Sequence, residues 1–586
     1  MERKTKKLIN NADNVIDELI DGMVGAHPNI LCVQGPTGRA IVAKHGPRSG
    51  KVGIVIGGGS GHEPAFSGYV GKGLADAAAV GNVFASPSPV QILDAARSAN
   101  GGTGVLFLYG NYTGDVMNFD MAAEAMVNEG VTARSVTVTD DVASAEKSKV
   151  VERRGIAGTF FVFKCAGAAA DLNHTMAEVE QVAKHANARV RSAGVALGAC
   201  SLPQTLKPNF EIGDDEMEIG MGIHGEAGIF RAPVETADAV SDRLMELLFA
   251  ELELSEGDEV AVLVNGLGAT SLMELYIVHR RVRERLDAIG VSLHNSWVGN
   301  YVTSLEMAGA SISILKLDSE LKRYLDHPCV TPALQVGQVT EKSVETVYAT
   351  KQPTAVASID TGNVKQKELA SDGDITPDMF KRMLVFTTGR IYENRDYLCE
   401  LDAAIGDGDH GVTMDIGWRA ICDAVSELSD KVTISDICEC AGNAFLNAVG
   451  ASAGPLYATA FLRASDAVSD RLNLGALSLV SLISAMKNGI EDRGGAHLGD
   501  KTMLDAWIPA AKAAGQAQKT GMTALECMVA ASKAAETGMN STLDLRSKRG
   551  RSAKLGARSV GHIDPGAASA FIIISAMADF FAIEMS

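Results

Sequence analysis

The 586-residue sequence has few aromatic residues, 5% of the chain, and only three of them are tryptophans. It also has no surplus of positive charge, because 53 Lys and Arg stand against 72 Asp and Glu, for a formal net charge of −19. Nucleic-acid backbones require clustered Lys and Arg, so no general nucleic-acid-binding surface is expected. The 46% hydrophobic and 21% charged content is nevertheless typical of globular proteins with sizeable cores.

Long apolar runs are also missing. The two longest, at 476–486 and 570–583, are shorter than a membrane span, and we predict that both are buried helices. The basic run at 3–7 is followed by too few apolar residues for a signal peptide. The nine cysteines include no Cys-x-x-Cys pair. These features predict reduced thiols, a cytoplasmic location and no membrane partner.

The order of predicted elements divides the chain in two. The first 330 or so residues alternate β-rich runs with helical patterns, which predicts an α/β region with a largely parallel sheet. From Thr376 and Pro377, a good helix start, Ala-rich amphipathic segments predict an all-α region. We expect α/β subdomains at 1–190 and 191–336, a polar linker at 337–373, and a helical domain at 374–586. Predicted strands lie at 52–56, 104–109, 135–139, 159–164, 260–265, 291–298 and 312–317, and predicted helices at 89–98, 120–129 and 176–193.

Three carboxylates, Asp402, Asp407 and Asp409, fall within eight residues, at the end of the first predicted helix of the all-α region. Adjacent like charges repel unless a cation lies among them, so the cluster is a candidate Mg²⁺ and phosphate site. The alternative is an ordinary solvated Asp-Gly turn. A calcium EF-hand is excluded because Gly411 and Trp418 stand where oxygen ligands are needed. A phosphate-binding Walker-A lysine loop is also missing, so any ATP chemistry here is not that of a P-loop enzyme.

Three glycine-rich loops carry further polar residues. The segment 57–64 follows an apolar strand, and His62 stands where a dinucleotide fingerprint requires glycine, which argues against NAD. Asp115 ends the segment 111–115 after another predicted strand, and His224 lies between glycines in 220–226. Each loop alone has a structural explanation. Together the two histidines and the aspartate favour a polar pocket for a small hydroxylated molecule.

Seven segments occur in one order that resembles the fused, ATP-dependent dihydroxyacetone kinases: 57–64, 111–115, 220–226, 401–411, 499–503, 550–552 and 561–566. The resemblance covers nearly the whole chain. It implies a ketose-binding half of two α/β subdomains, followed by an eight-helix nucleotide-binding half. It also implies a homodimer whose two halves meet between chains, since a linker of about 37 residues spans on the order of 30 Å as a flexible coil.

The resemblance also implies roles for particular residues. His224 corresponds to the histidine that captures the substrate carbonyl as a covalent hemiaminal, and His62 and Asp115 assist proton transfer. The substrate is lined by Gly59, Ser60 and Gly61. Two Mg²⁺ ions on Asp402, Asp407 and Asp409 bridge the ATP phosphates. The nucleotide-contacting positions are His410, Gly411, Val412, Thr413, Ser452, Ala453, Gly494, Thr502, Met503, Arg551, Asp564, Pro565 and Gly566.

Three positions depart from the family pattern. Gly110 stands where a lysine is usual, Phe66 where a histidine is usual, and Ala453 where a second serine is usual. Loss of the lysine removes a cation beside the substrate and opens space. A four-carbon erythrulose is therefore an alternative substrate to dihydroxyacetone.

Other activities within or near the family stay open. Some relatives take phosphate from a phosphoenolpyruvate-dependent carrier, but their two halves are separate chains. Animal relatives also cleave FAD to a cyclic FMN, which the metal site alone would support. A non-catalytic ketose-binding regulator is a third alternative, although such a protein should lack the metal carboxylates that this chain retains.

Overall fold

The computed structural model describes residues 5–338, 370–429 and 431–585. Most of the predicted linker at 337–373 lies outside these ranges. Two six-stranded sheets form the first half of the chain and a helical array forms the second. The expected α/β and all-α halves are therefore confirmed.

The first sheet has the strand order β1-β2-β4-β3-β5-β6 and helices on both faces. Strands β4, β3, β5 and β6 are parallel, whereas β2 pairs antiparallel with β4 and β1 pairs antiparallel with β2. Because β3 and β5 are parallel neighbours, the loops that follow them emerge at the same edge of the sheet. The elements are α1 (Val15–Ala26), β1 (Leu31–Gln34), β2 (Ala40–Ala43), β3 (Gly53–Ser60), β4 (Ala77–Val83), α2 (Pro89–Ala99), β5 (Val105–Gly110), α3 (Thr113–Asn128) and β6 (Ala133–Val138).

Two helices, α4 (Thr159–Asp171) and α5 (Met176–Arg189), lie between the first sheet and the second. The predicted strand at 159–164 is wrong, because this segment forms the start of α4. Phe160, Phe161 and their neighbours are buried on every side, so the sequence shows no helical period. The predicted helix at 176–193 is also too long, since α5 ends at Arg189 and a strand begins at the next residue.

The second sheet has the strand order β11-β10-β12-β7-β8-β9, and only β10 and β11 are parallel. The expectation of largely parallel strands therefore fails for this sheet. One face packs on α4 and α5 and the other on α6 and α7. The elements are β7 (Val190–Ala196), β8 (Glu216–Ile219), β9 (Phe230–Pro233), α6 (Ala237–Leu252), β10 (Glu259–Gly266), α7 (Leu272–Ala288), β11 (Ser292–Gly299), β12 (Gly309–Lys316), α8 (Ser319–Leu325), β13 (Cys329–Val330) and β14 (Gln335–Val336).

The second half contains the helical segments α9 to α17 around a core that includes the fully buried Trp418 and Trp507. Only Asn394 separates α9 from α10, so these two count as one of the expected eight helices. The acidic cluster lies at the end of α10, and so at the end of this first helical unit, as predicted. The elements are β15 (Ala370–Ser371), α9 (Pro377–Glu393), α10 (Arg395–Ile405), α11 (His410–Ser426), α12 (Ile434–Ala448), α13 (Ala453–Ala467), β16 (Arg471–Asn473), α14 (Ala476–Gly494), α15 (Leu504–Lys519), α16 (Ala524–Ser541) and α17 (Pro565–Glu584).

The last helix, α17, is long and apolar enough to cross a membrane by length and composition. However, 72% of its most apolar window is buried inside the protein. It packs against α9, α15 and α16. Helix α17 is therefore a largely buried helix of the array.

Candidate active site

A cavity of about 580 Å³ lies between the two halves of the chain. From the first half its wall includes Tyr112, Asp115 and Glu226. From the second half it includes the three aspartates of the acidic cluster and most of the residues expected to contact nucleotide. Of the first-half residues that the sequence singled out, Asp115 lines this cavity, whereas His62 and His224 do not. The cavity therefore joins Asp115 to the acidic cluster and to most of the expected nucleotide positions, which lie far away in the chain.

The acidic cluster is compact and buried. One carboxylate oxygen from each of Asp402, Asp407 and Asp409 lies within 4.8 Å of the others. Asp402 Oδ2 also accepts hydrogen bonds from the backbone N–H groups of Asp409 at 3.0 Å and His410 at 3.2 Å. The turn between the last two aspartates requires Gly408, whose φ of +78° favours glycine. Three buried carboxylates at this spacing fit hard divalent cations such as Mg²⁺.

Five helix N-termini open onto the same cavity. The first residues of α11, α13, α15 and α17 line it from the second half, and Thr113, the first residue of α3, lines it from the first half. The N-terminus of a helix carries partial positive charge and unpaired N–H groups, which bind phosphate. The cavity therefore combines a cation site with several anion-binding helix ends, as a metal–nucleotide complex requires.

Most residues predicted to contact nucleotide line this cavity: His410, Thr413, Ser452, Ala453, Gly494, Thr502, Met503, Asp564, Pro565 and Gly566. Gly411 instead packs against the backbone, since a Cβ there would lie 1.9 Å from the Arg395 carbonyl oxygen. Val412 lines a neighbouring cavity between the halves. The side chain of Arg551 lies outside the described part of the structure.

Sequence reasoning missed several residues of this wall. Leu456 and Ile490 add apolar surface, while Lys501 and Arg549 add positive charge. Lys501 is fully buried, and its ammonium group donates to the backbone carbonyls of Thr542 and Ser559, both at 2.7 Å. Lys501 follows Asp500 in the segment 499–503. Its role was missed because no sequence pattern distinguishes a buried lysine that donates to backbone carbonyls from an exposed one.

Two titratable groups on this wall are shifted by burial. Burial raises the pKa of Asp564 to about 7, and the nearby Asp505 adds to the effect. Asp564 also caps α17, because its Oδ2 accepts a hydrogen bond from the backbone N–H of Ala567 at 2.8 Å. Burial lowers the pKa of His410 to about 4, so its ring is neutral at physiological pH. Both shifts reduce the charge that these side chains carry near a bound anion.

In the first half, His62 and His224 meet although 162 residues separate them, with their Nε2 atoms 3.1 Å apart. The Nδ1 atom of His62 lies 2.7 Å from the carbonyl oxygen of Thr303, so this nitrogen carries a proton. His224 Nδ1 lies 2.9 Å from Glu226 Oε1, which assigns a proton there too. The two Nε2 atoms therefore share at most one proton, and Nε2 is the nitrogen of His224 that is available as a nucleophile.

The glycine-rich loop after β3 lies behind the histidines. Of the residues expected to line the substrate, Gly59, Ser60 and Gly61 do not contact the 580 Å³ cavity. The ring of Phe84 fills the space over Gly61 and stacks on His62, with centroids 5.1 Å apart. The Ser60 hydroxyl donates to the Gly81 carbonyl at 2.8 Å. The structure thus places these three residues beneath the histidine pair and not at the cavity wall.

Phe66, one of the three departures from the family pattern, is also away from the cavity. A Cβ on Gly58 would lie 2.3 Å from the Phe66 ring, so this phenylalanine packs directly on the glycine strand. It also contacts Phe163 of α4, with centroids 6.1 Å apart. In this structure Phe66 is therefore a partly buried residue that packs against the core.

Asp115 lies in the first turn of α3 at the cavity wall, as its predicted role requires. Sequence reasoning gave no role to Glu226 or Arg154, which line the cavity beside it. Glu226 orients His224, and Arg154 lies with its Nη1 atom 3.9 Å from Glu226 Oε2. A carboxylate two residues after a loop histidine is a signal that would have indicated Glu226.

The two halves meet within one chain in this structure. The Asn118 side chain donates to the backbone carbonyl of Gly450, and Arg558 Nη2 donates to the Gly228 carbonyl at 2.7 Å. A Cβ on Gly450 would lie only 1.4 Å from the Ser86 carbonyl oxygen, so glycine is required at this contact. Assembly of the site between two chains stays a prediction.

Comparisons with known proteins agree with this arrangement. Residues 21–333 match the Dak1 domain and residues 404–579 match the DAK2 domain. The chain is 36% identical over 578 residues to an L-erythrulose 1-kinase of Mycolicibacterium smegmatis, covering 98% of this chain and 99% of that protein. It is also 36% identical over 575 residues to a D-erythrulose kinase of the same organism, covering 98% of each protein.

A solved structure resembles both halves together. The crystal structure of the dihydroxyacetone kinase from C. freundii in complex with AMP-PNP and Mg²⁺ is 28% identical, with a TM-score of 0.51. It covers 98% of this chain and 99% of that one. The chain therefore belongs to the dihydroxyacetone kinase family and carries the Dak1 and DAK2 domains of that family on one polypeptide.

Proposed function

We propose that this protein transfers the terminal phosphoryl group of ATP to a terminal hydroxyl of a four-carbon ketose, an erythrulose, in preference to dihydroxyacetone. The chain is a ketose kinase, as its whole-length kinase relatives support. The observation that carries the proposal is the shared cavity, which has the acidic cluster on one wall and Asp115 with Glu226 on the other. A donor phosphate and an acceptor hydroxyl would meet there.

Asp402, Asp407 and Asp409 are proposed to hold two Mg²⁺ ions with the ATP phosphates. Their spacing and burial support this assignment, and the helix N-termini around them supply N–H groups for the phosphate oxygens. When bound, the ions neutralise the charge of the transferring phosphoryl group. The apolar side chains of Leu456 and Ile490 offer a surface for the base of the nucleotide.

His224 is proposed to capture the ketose as a covalent hemiaminal. Its Nε2 would attack the carbonyl carbon, forming a C–N bond as the carbonyl π bond breaks. The oxygen would take a proton from Nε2 of a doubly protonated His62, which lies 3.1 Å from Nε2 of His224, and the positive charge would pass to the alkylated His224 ring beside the Glu226 carboxylate. Glu226 keeps the Nδ1 proton of His224 in place and so fixes the nucleophilic tautomer. Glycerol has no carbonyl to attack, so capture of this kind selects ketoses.

Asp115 is proposed as the general base. It lies in the first turn of α3, on the ketose side of the cavity that also contains the acidic cluster. A carboxylate there would accept the proton of the terminal hydroxyl as its oxygen attacks phosphorus. The metal carboxylates on the opposite wall are the feature that a purely regulatory ketose-binding protein would not need.

Two further expectations remain proposals. The ketose half is proposed to divide into two subdomains near residue 190, where the strands of the second sheet begin. A cytoplasmic location is supported by the nine cysteines, all of which are free thiols.

The first prediction concerns the acceptor. In a coupled assay with ATP and Mg²⁺, the kcat/KM for D- or L-erythrulose should exceed that for dihydroxyacetone by about 10-fold, because a site fitted to the extra hydroxymethyl group, as expected from the whole-length erythrulose kinase relatives, leaves polar groups unpaired with the shorter ketose. Glycerol should not be phosphorylated. A clear preference for dihydroxyacetone would contradict the proposed substrate, and formation of cyclic FMN from FAD and Mn²⁺ in place of kinase activity would contradict the proposed reaction.

The second prediction concerns ketose capture. His224→Ala should lower kcat/KM for every ketose by at least about 100-fold, because the covalent bond cannot form. The dissociation constant for ATP, measured by calorimetry, should not change. His45→Ala, an exposed histidine of the same half, is the matched control. Unchanged ketose kinetics in His224→Ala would refute the hemiaminal.

The third prediction concerns the metal site. Asp407→Asn should lower kcat by at least about 100-fold, because it removes one carboxylate from the cation site. Titration of Mn²⁺ followed by electron paramagnetic resonance should show weaker binding of the ion. Asp544→Asn, an exposed aspartate of the same half, should behave as wild type. Full activity in Asp407→Asn would mean that the acidic loop is only a turn.

The fourth prediction concerns assembly. We propose a homodimer formed through the start of α7 and the edge strand β11, where Leu272, Met273 and Tyr276 are 57%, 71% and 58% exposed. Light scattering should give twice the chain mass of 61.4 kDa. Met273→Asp should shift the protein to monomer, whereas Val151→Asp, which is exposed elsewhere, should not. A monomeric mass for the wild type would reject the dimer.

A further inference from the structure

Gly110 ends strand β5 and lies against the ring of Tyr112. A Cβ at position 110 would lie 3.0 Å from Tyr112 Cε2 and 3.1 Å from the carbonyl oxygen of Gly155. These distances are tighter than ordinary van der Waals contact. The ring of Tyr112 therefore occupies space that any side chain at position 110 would need.

Tyr112 brings an unused hydrogen-bonding group to the histidine pair. Its ring meets that of His224 edge-on, with centroids 4.8 Å apart and an interplanar angle of 84°. Its hydroxyl is buried and has no hydrogen-bond partner among the residues that the structure describes. Burial raises the pKa of Tyr112 well above its usual value, so the hydroxyl keeps its proton. A buried hydroxyl without a partner is uncommon in folded proteins and requires an explanation.

Arg154 presents a second such group on the same wall of the cavity. Its guanidinium is 4% exposed, and it donates from Nε to Asp141 at 2.9 Å and from Nη2 to the Gly220 carbonyl at 3.0 Å. Its Nη1 has no hydrogen-bond partner within the described ranges. Burial alone would lower the pKa of Arg154, but the carboxylates of Asp141 and Glu226 outweigh this and raise it. The Arg154 guanidinium therefore stays positively charged, and its Nη1 can donate a hydrogen bond to a ligand.

We propose that the Tyr112 hydroxyl and Arg154 Nη1 together bind the hydroxyl at the end of the ketose that is not phosphorylated, and so determine the length of the ketose accepted. A hydroxyl oxygen has two lone pairs and can accept one hydrogen bond from each donor. Both donors flank His224, because Tyr112 contacts its ring and Arg154 lies beside the Glu226 that orients it. The inference rests on the proposed ketose kinase function.

The absence of a side chain at Gly110 is what makes this arrangement possible. With a side chain there, the Tyr112 ring would have to shift by a few tenths of an ångström, and the hydroxyl would move with it. A four-carbon ketose carries one more hydroxymethyl group than dihydroxyacetone and can place its last hydroxyl farther from the carbonyl. A site with unused donors discriminates strongly against a ligand that cannot pair them.

The test is Tyr112→Phe, which keeps the ring and removes only the hydroxyl. The ratio of kcat/KM for erythrulose to that for dihydroxyacetone should fall about 10-fold, mostly through the KM for erythrulose, since one hydrogen bond is worth about that factor. The thermal midpoint should stay the same or rise, because the hydroxyl has no hydrogen-bond partner to lose among the described residues. Tyr109→Phe is the matched control, since Tyr109 stacks on Phe119 on the other face of the sheet, with centroids 4.1 Å apart.

Gly110→Ala gives an independent test, because the added Cβ should displace the Tyr112 ring and lower the same ratio. An unchanged ratio in both variants would overturn the inference, as would an equal loss for both ketoses together with a lower thermal midpoint. A wild type that phosphorylates ketoses without preferring the longer one would also overturn it but leave the kinase function intact. A wild type inactive on all ketoses would reject the proposed function itself.

Discussion

The convergence of helix N-termini on one cavity is the constraint around which the second half of the chain is organised. Each N-terminus carries about half a positive charge and unpaired N–H groups, so four of them from α11, α13, α15 and α17 make a strong anion site. Helices α11, α13, α15 and α17 alternate with the other helices along the chain, and they therefore all begin at the end of the array that faces the cavity. The three buried aspartates lie at the end of α10, directly beside these helix starts, where a cation and a polyphosphate would balance both charges.

Helix N-termini from both halves of the chain face this cavity. Helix α3 adds a fifth N-terminus from the ketose half, and its first turn holds Asp115 at the cavity wall. The halves approach closely enough that Gly450 has no space for a side chain next to Ser86. Close backbone approach places the acidic cluster and Asp115 on the walls of one cavity, where charges interact more strongly than in bulk water.

The parts of this arrangement that depend on short sequence signals could be predicted. The acidic cluster, the glycine-rich loops and the helix start at Thr376 each have short signals, and the structure brings most of the expected nucleotide positions to one cavity. The fully buried helix α4 was misread as a strand because a helix packed between two sheets shows no polar face. The antiparallel pairing in the second sheet could not be predicted from the sequence either, because the order of elements along the chain does not specify which strands are neighbours in the sheet.

The sequence by itself determined the two-part architecture, the acidic cluster and the two loop histidines, because each depends on residues close together in the chain. Only the tertiary structure decided that His62 meets His224, that Glu226 contacts His224 Nδ1, and that Phe66 packs against the core. It alone also placed Tyr112 over Gly110, with unused donors on Tyr112 and Arg154 beside the histidine. The physical reason is that burial and hydrogen-bond satisfaction depend on every neighbour in space, whereas a sequence motif records only neighbours along the chain.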